Sequence, residues 1–273
     1  ETKIYHYTSI AGVKGICEGE FWATECHFLN DSTEFQIGTE MFLKVMKKHI
    51  LNEIAFKEFK ARLEYEMQRY GMIEKEKNDG FNYYVVSFCT EKDSALMWSA
   101  YAGTMGYCME FDIWELANSF GEDMMFHGNV VYDEKEQENY IEGEFKARED
   151  RISDFLSADG EKIIDNTKLD VFIKEIAPVC LYYNMFFKRK CFEGEKEYRM
   201  VFPGIYIKNE VPRKYKPEFR EKSGVLIPNM KCLKSVVLGP QNKMDIAKKG
   251  LQWYFESQKM DIAISESSLP LRY

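Results

Sequence analysis

Two periods of apolar residues run through this chain, and each period predicts a different kind of element. Short runs rich in aromatic and β-branched residues predict strands. After an N-terminal strand–helix–strand unit that ends near residue 35, these runs lie at 82–89, 107–112, 128–132, 179–182, 198–202, 225–228, 236–240 and 262–265. Asn78-Asp79-Gly80 supplies a turn signal before the first of them.

Helical periodicity is clearest in two long stretches. From about 35 to 77, apolar residues recur at helical spacing, which predicts one long helix or a helical hairpin broken near 49–52. The charge-rich stretch 134–176 predicts a helical insertion. Shorter helices are predicted around Met97 to Tyr101, over 113–120 and over 244–257.

Strands that alternate irregularly with helices favour an α+β fold over a doubly wound one. We therefore predict an antiparallel or mixed sheet in a single domain, 1–273, with helical insertions at about 35–77 and 134–176. The Gly103-x-x-Gly106 segment has neither the spacing nor the helix of a dinucleotide or Walker loop.

Composition narrows the function classes. The 273 residues carry a formal net charge of −8, which argues against an extended nucleic-acid surface. No apolar run reaches the roughly 20 residues of a membrane span, and no signal-peptide pattern opens the chain, so we expect a cytoplasmic protein. Seven cysteines without C-x-x-C spacing predict reduced thiols and no metal site.

The basic runs Lys188-Arg189-Lys190 and 213–216 have two interpretations: contacts to a phosphate, or solvated surface. A polar cluster at the N-terminus is also open to two interpretations. His6, Thr8 and Ser9 lie where a strand gives way to a helix, which suggests a binding site. The alternative is that His6 only ties its strand to a neighbouring carbonyl.

A second polar cluster begins at Ser87, and a third contains Glu195, Glu197 and Arg199. On a strand, this spacing places all three side chains on one face. Two carboxylates beside an arginine form either a salt-bridge ladder at an exposed sheet edge or a functional pair. Trp98, in the cluster that begins at Ser87, is interpreted as a core aromatic.

Six motifs occur in an order that resembles the bacterial domain-of-unknown-function family DUF2971, over about residues 4–265. They are Tyr5-His6-Tyr7-Thr8-Ser9, Asn30-Asp31-Ser32-x-Glu34, Ser87-Phe88-Cys89-Thr90, Met97-Trp98-x-x-Tyr101, Gly106-x-x-x-Glu110-Phe111-Asp112 and Phe192-x-x-Glu195-x-Glu197-Tyr198-Arg199. That family in turn resembles the ADP-ribosyltransferase superfamily, which implies a split mixed or antiparallel sheet with inserted helices and NAD as the substrate.

The resemblance implies a role for each candidate site residue. Glu197 would bind the nicotinamide ribose, and Glu195 would be a second catalytic glutamate. His6 would bind the adenosine-side ribose, and an aromatic ring, Tyr101 or Tyr107, would stack on nicotinamide. The cofactor-binding set implied in this way is His6, Tyr7, Thr8, Ser9, Ser87, Tyr101 and Arg199. We expect His6, Tyr101 and Glu197 to line one cleft, with His6 and Glu197 on the same face of the sheet. Glu197 on the face opposite His6 would contradict the transferase interpretation.

The function implied is an NAD-dependent ADP-ribosyltransferase-like enzyme, a bacterial toxin or phage-defence effector with an unknown protein or nucleic-acid acceptor and no membrane partner. Two alternatives stay open. In an NAD glycohydrolase, water replaces the acceptor. In a non-catalytic module, the same fold binds a nucleotide or a partner protein.

Overall fold

The computed structural model of the chain describes residues 3–29, 34–71, 82–204, 222–226, 230–242 and 244–270. In those residues, nine strands form one sheet. The strands are β1 Lys3–Thr8, β2 Glu20–Glu25, β3 Asn82–Cys89, β4 Tyr107–Asp112, β5 Phe126–Asn129, β6 Glu197–Gly204, β7 Lys222–Leu226, β8 Leu233–Leu238 and β9 Ala263–Glu266. The predicted turn at 78–80 and the basic run at 213–216 lie outside the described residues.

Nine α-helices and one π-helix accompany these strands in the described ranges. The helices are α1 Ile10–Cys17, α2 Ile37–Met46, α3 Glu53–Arg69, α4 Ala95–Met97, α5 Ile113–Phe120, α6 Glu134–Lys146, α7 Glu149–Phe155, α8 Asn166–Phe186 and α9 Met244–Ser257. The π-helix, Trp98–Ala102, continues α4. Within those ranges, no helix is both long enough and apolar enough to cross a bilayer.

The sheet is mixed and largely antiparallel, so the predicted α+β class is confirmed. Seven of the nine strands follow the order β5-β6-β3-β1-β4-β8-β9, and the pair β8–β9 is parallel. The other two branch from β3: β2 pairs with β3, and β7 pairs with β2. β6 pairs with β3 along all eight residues of β3. β1 and β2 therefore share the opposite edge of β3: β1 pairs at Cys89, and β2 pairs at Tyr84 and Val85. The sheet forks between these two pairings.

Each face of the sheet carries its own apolar core, because alternate side chains of a strand point to opposite faces. On one face, Tyr83 and Val85 of β3 pack against α2, α3, α6, α7 and α8. On the other face, Tyr84, Val86 and Phe88 pack against α1, α5 and α9. We call the first the helical-layer face and the second the α1 face.

Within its described residues, the stretch 35–77 forms two helices, α2 and α3, and not one long helix, and both pack on α8. The break falls at 47–52, where the Asn52 side chain caps α3 by accepting from the N–H groups of Ile54 (2.9 Å) and Ala55 (3.1 Å). α2 crosses α8 closely because Gly38 has no side chain: a Cβ there would lie 2.6 Å from the backbone nitrogen of Asn184. The buried Asn184 amide also bonds Thr39 at this crossing.

The predicted strand at 179–182 is wrong, because α8 runs on to Phe186. The run Val-Cys-Leu-Tyr after Pro178 is β-prone, and proline usually ends a helix. Here the helix continues through Pro178, and Cys180, Leu181, Met185 and Phe186 are buried in the helical-layer core. The strand predicted over 128–132 is also displaced: β5 covers Phe126–Asn129.

Candidate functional site

A cleft of about 470 Å³ opens at the fork of the sheet. β1, β2, β3 and β6 contribute to it, as do the π-helix and the segment 188–195. The cleft brings together seven of the nine candidate residues: His6, Tyr7, Ser87, Tyr101, Glu195, Glu197 and Arg199. The expected convergence of His6, Tyr101 and Glu197 on one cleft therefore agrees with the structure. Their roles in binding or catalysis stay predictions.

His6 occupies the fork itself. Beyond the Tyr5–Cys89 pair, the two strands diverge, and His6 Nδ1 lies 3.0 Å from the Ser87 carbonyl oxygen. A carbonyl only accepts, so Nδ1 carries the proton and donates. Burial lowers the pKa of His6, so the ring is neutral at pH 7. The bond agrees with the interpretation of His6 as a tie between its strand and a neighbouring carbonyl. The ring also lines the cleft, so a binding role for His6 stays a prediction.

The expectation that His6 and Glu197 share a face of the sheet is wrong. The His6 ring packs edge-on against Phe21 (5.3 Å) and Phe88 (5.5 Å), both of the α1-face core. Glu197 bonds Ser87, which alternates with Phe88 and so faces the helical layer. The two residues line the same cleft only because the cleft passes through the fork. This placement counts against the transferase arrangement as the resemblance implies it.

The structure places Thr8 and Ser9 outside the cleft lining. Ser9 caps α1, with its Oγ accepting from the Gly12 N–H at 3.3 Å, and the Thr8 hydroxyl lies against Gly12. Tyr7 reaches the cleft wall, but its hydroxyl donates to the Glu91 carbonyl (3.1 Å) and accepts from the Ser94 N–H (2.8 Å). These three side chains therefore hold β1, α1 and the turn after β3 in place.

Glu197, the first residue of β6, carries the most heavily bonded carboxylate of the cleft. Oε1 accepts from Ser87 Oγ (2.6 Å) and Arg199 Nε (2.7 Å). Oε2 accepts from an Arg199 terminal nitrogen (2.8 Å) and Lys188 Nζ (3.2 Å). Burial alone would raise the pKa of this carboxyl, but Arg199, Lys188 and Ser87 outweigh it and lower the pKa to about 2. Glu197 is ionised at pH 7.

Arg199 lies below the cleft floor and is fully buried. Besides Glu197, it donates to the Met185 carbonyl (2.9 Å) and to Glu34 Oε2 (3.1 Å), and its guanidinium packs over the Phe35 ring. Burial lowers its pKa, but the neighbouring carboxylates outweigh this and the pKa is raised. With its donors used in this way, Arg199 is placed to orient Glu197 rather than to grip a phosphate.

Lys188 joins three carboxylates. Its Nζ lies 2.7 Å from Glu34, 2.6 Å from Glu195 and 3.2 Å from Glu197. We call Glu34, Lys188, Glu195, Glu197 and Arg199 the charged cluster. With three acids and two bases, it has a formal charge of −1. Lys188 is buried, so it is not solvated surface, whereas Arg189 and Lys190 of the same run are exposed. A contact between this run and a phosphate stays a prediction.

Glu195 does not lie on β6, contrary to the predicted alternation over 195–199. A 3₁₀ helix, Lys190–Glu195, precedes the strand, and Lys196 adopts a left-handed conformation with φ 44°. Glu195 still reaches the cleft, where Oε1 accepts from the Tyr101 hydroxyl (2.6 Å) and Oε2 binds Lys188. The exposed-edge ladder is excluded, since β6 lies between β3 and β5 and Glu197 and Arg199 are buried.

Tyr101, and not Tyr107, presents an aromatic ring to the cleft. Tyr101 lies on the π-helix with 41% of its surface exposed, whereas Tyr107 is 5% exposed in the α1-face core. Gly103 ends the π-helix with φ 67°, a conformation that glycine adopts without steric cost. Trp98 is 3% exposed, and its Nε1 donates to Asp93 (2.7 Å), so the prediction of a core aromatic is confirmed.

Glu34 and Lys188 complete the charged cluster, although the sequence analysis named Glu34 only within a motif and Lys188 only within a basic run. Glu34 ends the Asn-Asp-Ser-x-Glu motif, which was the available signal. The position of Lys188 is fixed by the contacts at the end of α8. Phe187 forms a β-bridge with Val131, and the Gln137 side chain donates to the carbonyls of Val131 (2.7 Å) and Lys188 (3.0 Å). No local pattern marks that arrangement.

Comparison with known proteins gives one family match. Residues 97–200 match the sequence model of the family described as "Protein of unknown function (DUF2971)". The matched segment covers well under half of the chain and contains Tyr101, Lys188, Glu195, Glu197 and Arg199, so it supports the resemblance to that family. No curated protein and no solved structure matches the chain.

Chemically, the cleft combines an ionised carboxylate, a half-exposed aromatic ring and a neutral histidine. Such a carboxylate stabilises positive charge that develops on a ligand in a site with little water. The aromatic ring offers a platform for a planar group. The bases that line the cleft among the described residues, Lys188 and Arg199, are engaged by carboxylates, so the floor favours neutral or cationic groups over anions.

Proposed function

We propose that this chain is an NAD-consuming enzyme of the ADP-ribosyltransferase type. The observation that carries the proposal is the convergence of Glu197, Ser87 and Tyr101 on one cleft, with Ser87 and Glu197 110 positions apart in the chain. His6 lines the same cleft from the opposite face of the sheet, which counts against the arrangement that the superfamily resemblance implies, so the proposal does not rest on His6. A mixed, largely antiparallel sheet accompanied by several helices is compatible with what the superfamily resemblance implies. A toxin or phage-defence role, with a protein or nucleic-acid acceptor, belongs to the same proposal.

In this proposal, the bond between nicotinamide and ribose breaks, and its electron pair leaves with nicotinamide, which becomes neutral. The ribose carbon gains oxocarbenium character, as in glycoside cleavage. Glu197 stabilises that charge, and Ser87, Arg199 and Lys188 hold its carboxylate in place. Tyr101 holds the nicotinamide ring. The acceptor then attacks the ribose carbon and loses a proton, which in this proposal goes to Glu195.

The residues present fit one half of NAD better than the other. The carboxylates and Tyr101 suit the cationic nicotinamide riboside. The diphosphate is less well matched, because Lys188 and Arg199 already form ion pairs with Glu34, Glu195 and Glu197. We therefore place the nicotinamide riboside on the floor of the cleft and the phosphates towards its mouth.

The test measures two products from the same reaction. The purified chain is incubated with NAD labelled in the adenylate half, with and without a cell extract as the source of acceptors. We expect nicotinamide release, with label transferred to macromolecules when the extract is present. Release without transfer would identify an NAD glycohydrolase. Absence of both, with and without extract, would overturn the proposal.

A non-catalytic nucleotide-binding module is the second candidate, and one observation favours it. Glu197 has both oxygens bonded to Ser87, Arg199 and Lys188, as a purely structural carboxylate would. Calorimetric titration separates the two candidates. A module binds NAD without releasing nicotinamide, and its affinity is unchanged after hours of incubation.

A further inference from the structure

Asp93 lies in the turn between β3 and α4, in a backbone conformation that needs support. Its φ is 66°, in the left-handed region, which costs a non-glycine residue free energy although Asp and Asn tolerate it best. A residue of this kind persists only where its surroundings fix it. Asp93 is neither a cleft residue nor part of the charged cluster, so the cleft chemistry does not account for it.

The Asp93 carboxylate accepts four hydrogen bonds from two separate parts of the chain. Oδ1 accepts from Trp98 Nε1 (2.7 Å) and Ser267 Oγ (2.5 Å). Oδ2 accepts from the Ser268 backbone N–H (2.7 Å) and the Ser268 hydroxyl (2.9 Å). Burial would raise the pKa of this carboxyl, but these donors lower it. Asp93 thus links the segment after β9 to the π-helix, across 175 positions.

Trp98 connects Asp93 to the π-helix that contains the cleft residue Tyr101. It is the first residue of the π-helix and is held between Asp93, the Tyr7 ring at 4.9 Å and the backbone of Gly239, where a Cβ would lie 3.1 Å from the indole. Tyr101 follows three positions later in the same five-residue π-helix. A helix of this length does not hold its own geometry in water, so its orientation depends on such contacts.

We propose that Asp93 is a positioning residue for Tyr101. By fixing Trp98 to the segment 267–268, it sets the orientation of the π-helix and therefore of the Tyr101 ring and its bond to Glu195. The part of this inference that concerns NAD rests on the proposed function. The part that concerns the π-helix does not.

The test uses two substitutions in the full chain. Asp93→Gly removes the carboxylate but favours the left-handed backbone, so the turn keeps its shape. Asp93→Asn also tolerates that backbone, but its amide nitrogen cannot accept, so one pair of bonds loses its acceptor. Asp159→Asn is the matched control. Asp159 accepts from the Ser157 hydroxyl (2.5 Å) and the Glu161 N–H (3.1 Å) in an exposed turn beside the helical layer.

The first readout, amide hydrogen exchange, needs no ligand. We expect the amides of 95–102 to exchange at least about tenfold faster in Asp93→Gly, about threefold faster in Asp93→Asn, and unchanged in Asp159→Asn, because local protection reports the free energy of local opening. Exchange over α8 and β6 should not change. Unchanged exchange at 95–102 in both Asp93 variants would overturn the inference, whatever the protein does with NAD.

The second readout is a double-mutant cycle on NAD affinity. We expect Asp93→Gly to weaken NAD binding at least about fivefold in the wild-type background and less than about twofold in a Tyr101→Ala background, because residues that act through one another are not additive. Equal losses in the two backgrounds would overturn the positioning role. If the wild type neither binds nor consumes NAD, the proposed function fails, and hydrogen exchange alone decides the inference.

Discussion

Glu197→Gln is predicted to cost stability as well as activity, because the charge it removes holds the cleft floor together. Glutamine has the shape of a protonated glutamate, so the free energy that separates the two protonation states of Glu197 estimates the loss. Lowering the pKa of Glu197 from 4.5 to about 2 corresponds to about 3 kcal/mol of stability at neutral pH. Breaking a buried ion pair by removing one partner costs about 3–5 kcal/mol in other proteins, which agrees.

The sign of the pH dependence follows from the same shift. The folded-state pKa lies below the unfolded value, so the stabilisation is fully present above pH 4.5. It is lost as the pH falls from 4.5 towards 2. The difference in unfolding free energy between wild type and Glu197→Gln should therefore be largest at pH 7 and shrink below pH 4.5.

Urea denaturation followed by circular dichroism at pH 7, 5, 4 and 3.5 measures this difference. Glu66→Gln is the matched control: Glu66 is also buried and pairs with an arginine, but that partner, Arg69, is 60% exposed, so we expect a loss below about 1 kcal/mol. The reasoning is refuted if Glu197→Gln loses no more than Glu66→Gln, or if its loss is the same at every pH.

Three further predictions concern the cleft. Glu195→Gln should abolish transfer to an acceptor while slow NAD hydrolysis continues, measured by label transfer and nicotinamide release on one sample; equal loss of both would contradict an acceptor role. Tyr101→Phe keeps the ring and should bind NAD with an affinity within about threefold of wild type. Tyr101→Ala should bind NAD about tenfold more weakly, a loss of about 1.4 kcal/mol in binding free energy, as measured by calorimetry. Equal affinities in the two variants would contradict a stacking role. Burial lowers the pKa of His6, so the contribution of the neutral ring to stability should be lost as the pH falls below 6.5. His6→Gln should therefore flatten that part of the curve of unfolding free energy against pH. A curve identical to that of the wild type would contradict this prediction.

Local pattern was enough to predict most elements. The two helices α2 and α3 agree with the helical periodicity and the predicted break near 49–52, and the predicted bounds of β3, β4, α5 and α9 agree with the structure. These elements have one clear period and distinct ends. The region 176–196 was harder, because proline and β-prone residues point to a strand while burial against α2 and α3 favours a helix, and tertiary packing decides.

The site was only partly predictable, for a related reason. Its residue types stand out as motifs, but their partners are set by long-range contacts. Arg199 bonds Glu34 across 165 positions, and Lys188 is buried only because α8 continues to Phe186. The fork that puts His6 and Glu197 in one cleft from opposite faces is a property of strand pairing, which the sequence of a single strand does not specify.

A crystal structure of Glu197→Gln soaked with NAD tests the central claim most directly, since the slowed variant should keep the substrate intact. Losing this kind of electrostatic contact typically slows a reaction about a hundred- to a thousand-fold, or about 2.7–4 kcal/mol. We predict nicotinamide against Tyr101, its ribose at residue 197 and the adenosine end towards His6. NAD bound elsewhere, or a cleft still empty at saturating NAD, would contradict the account.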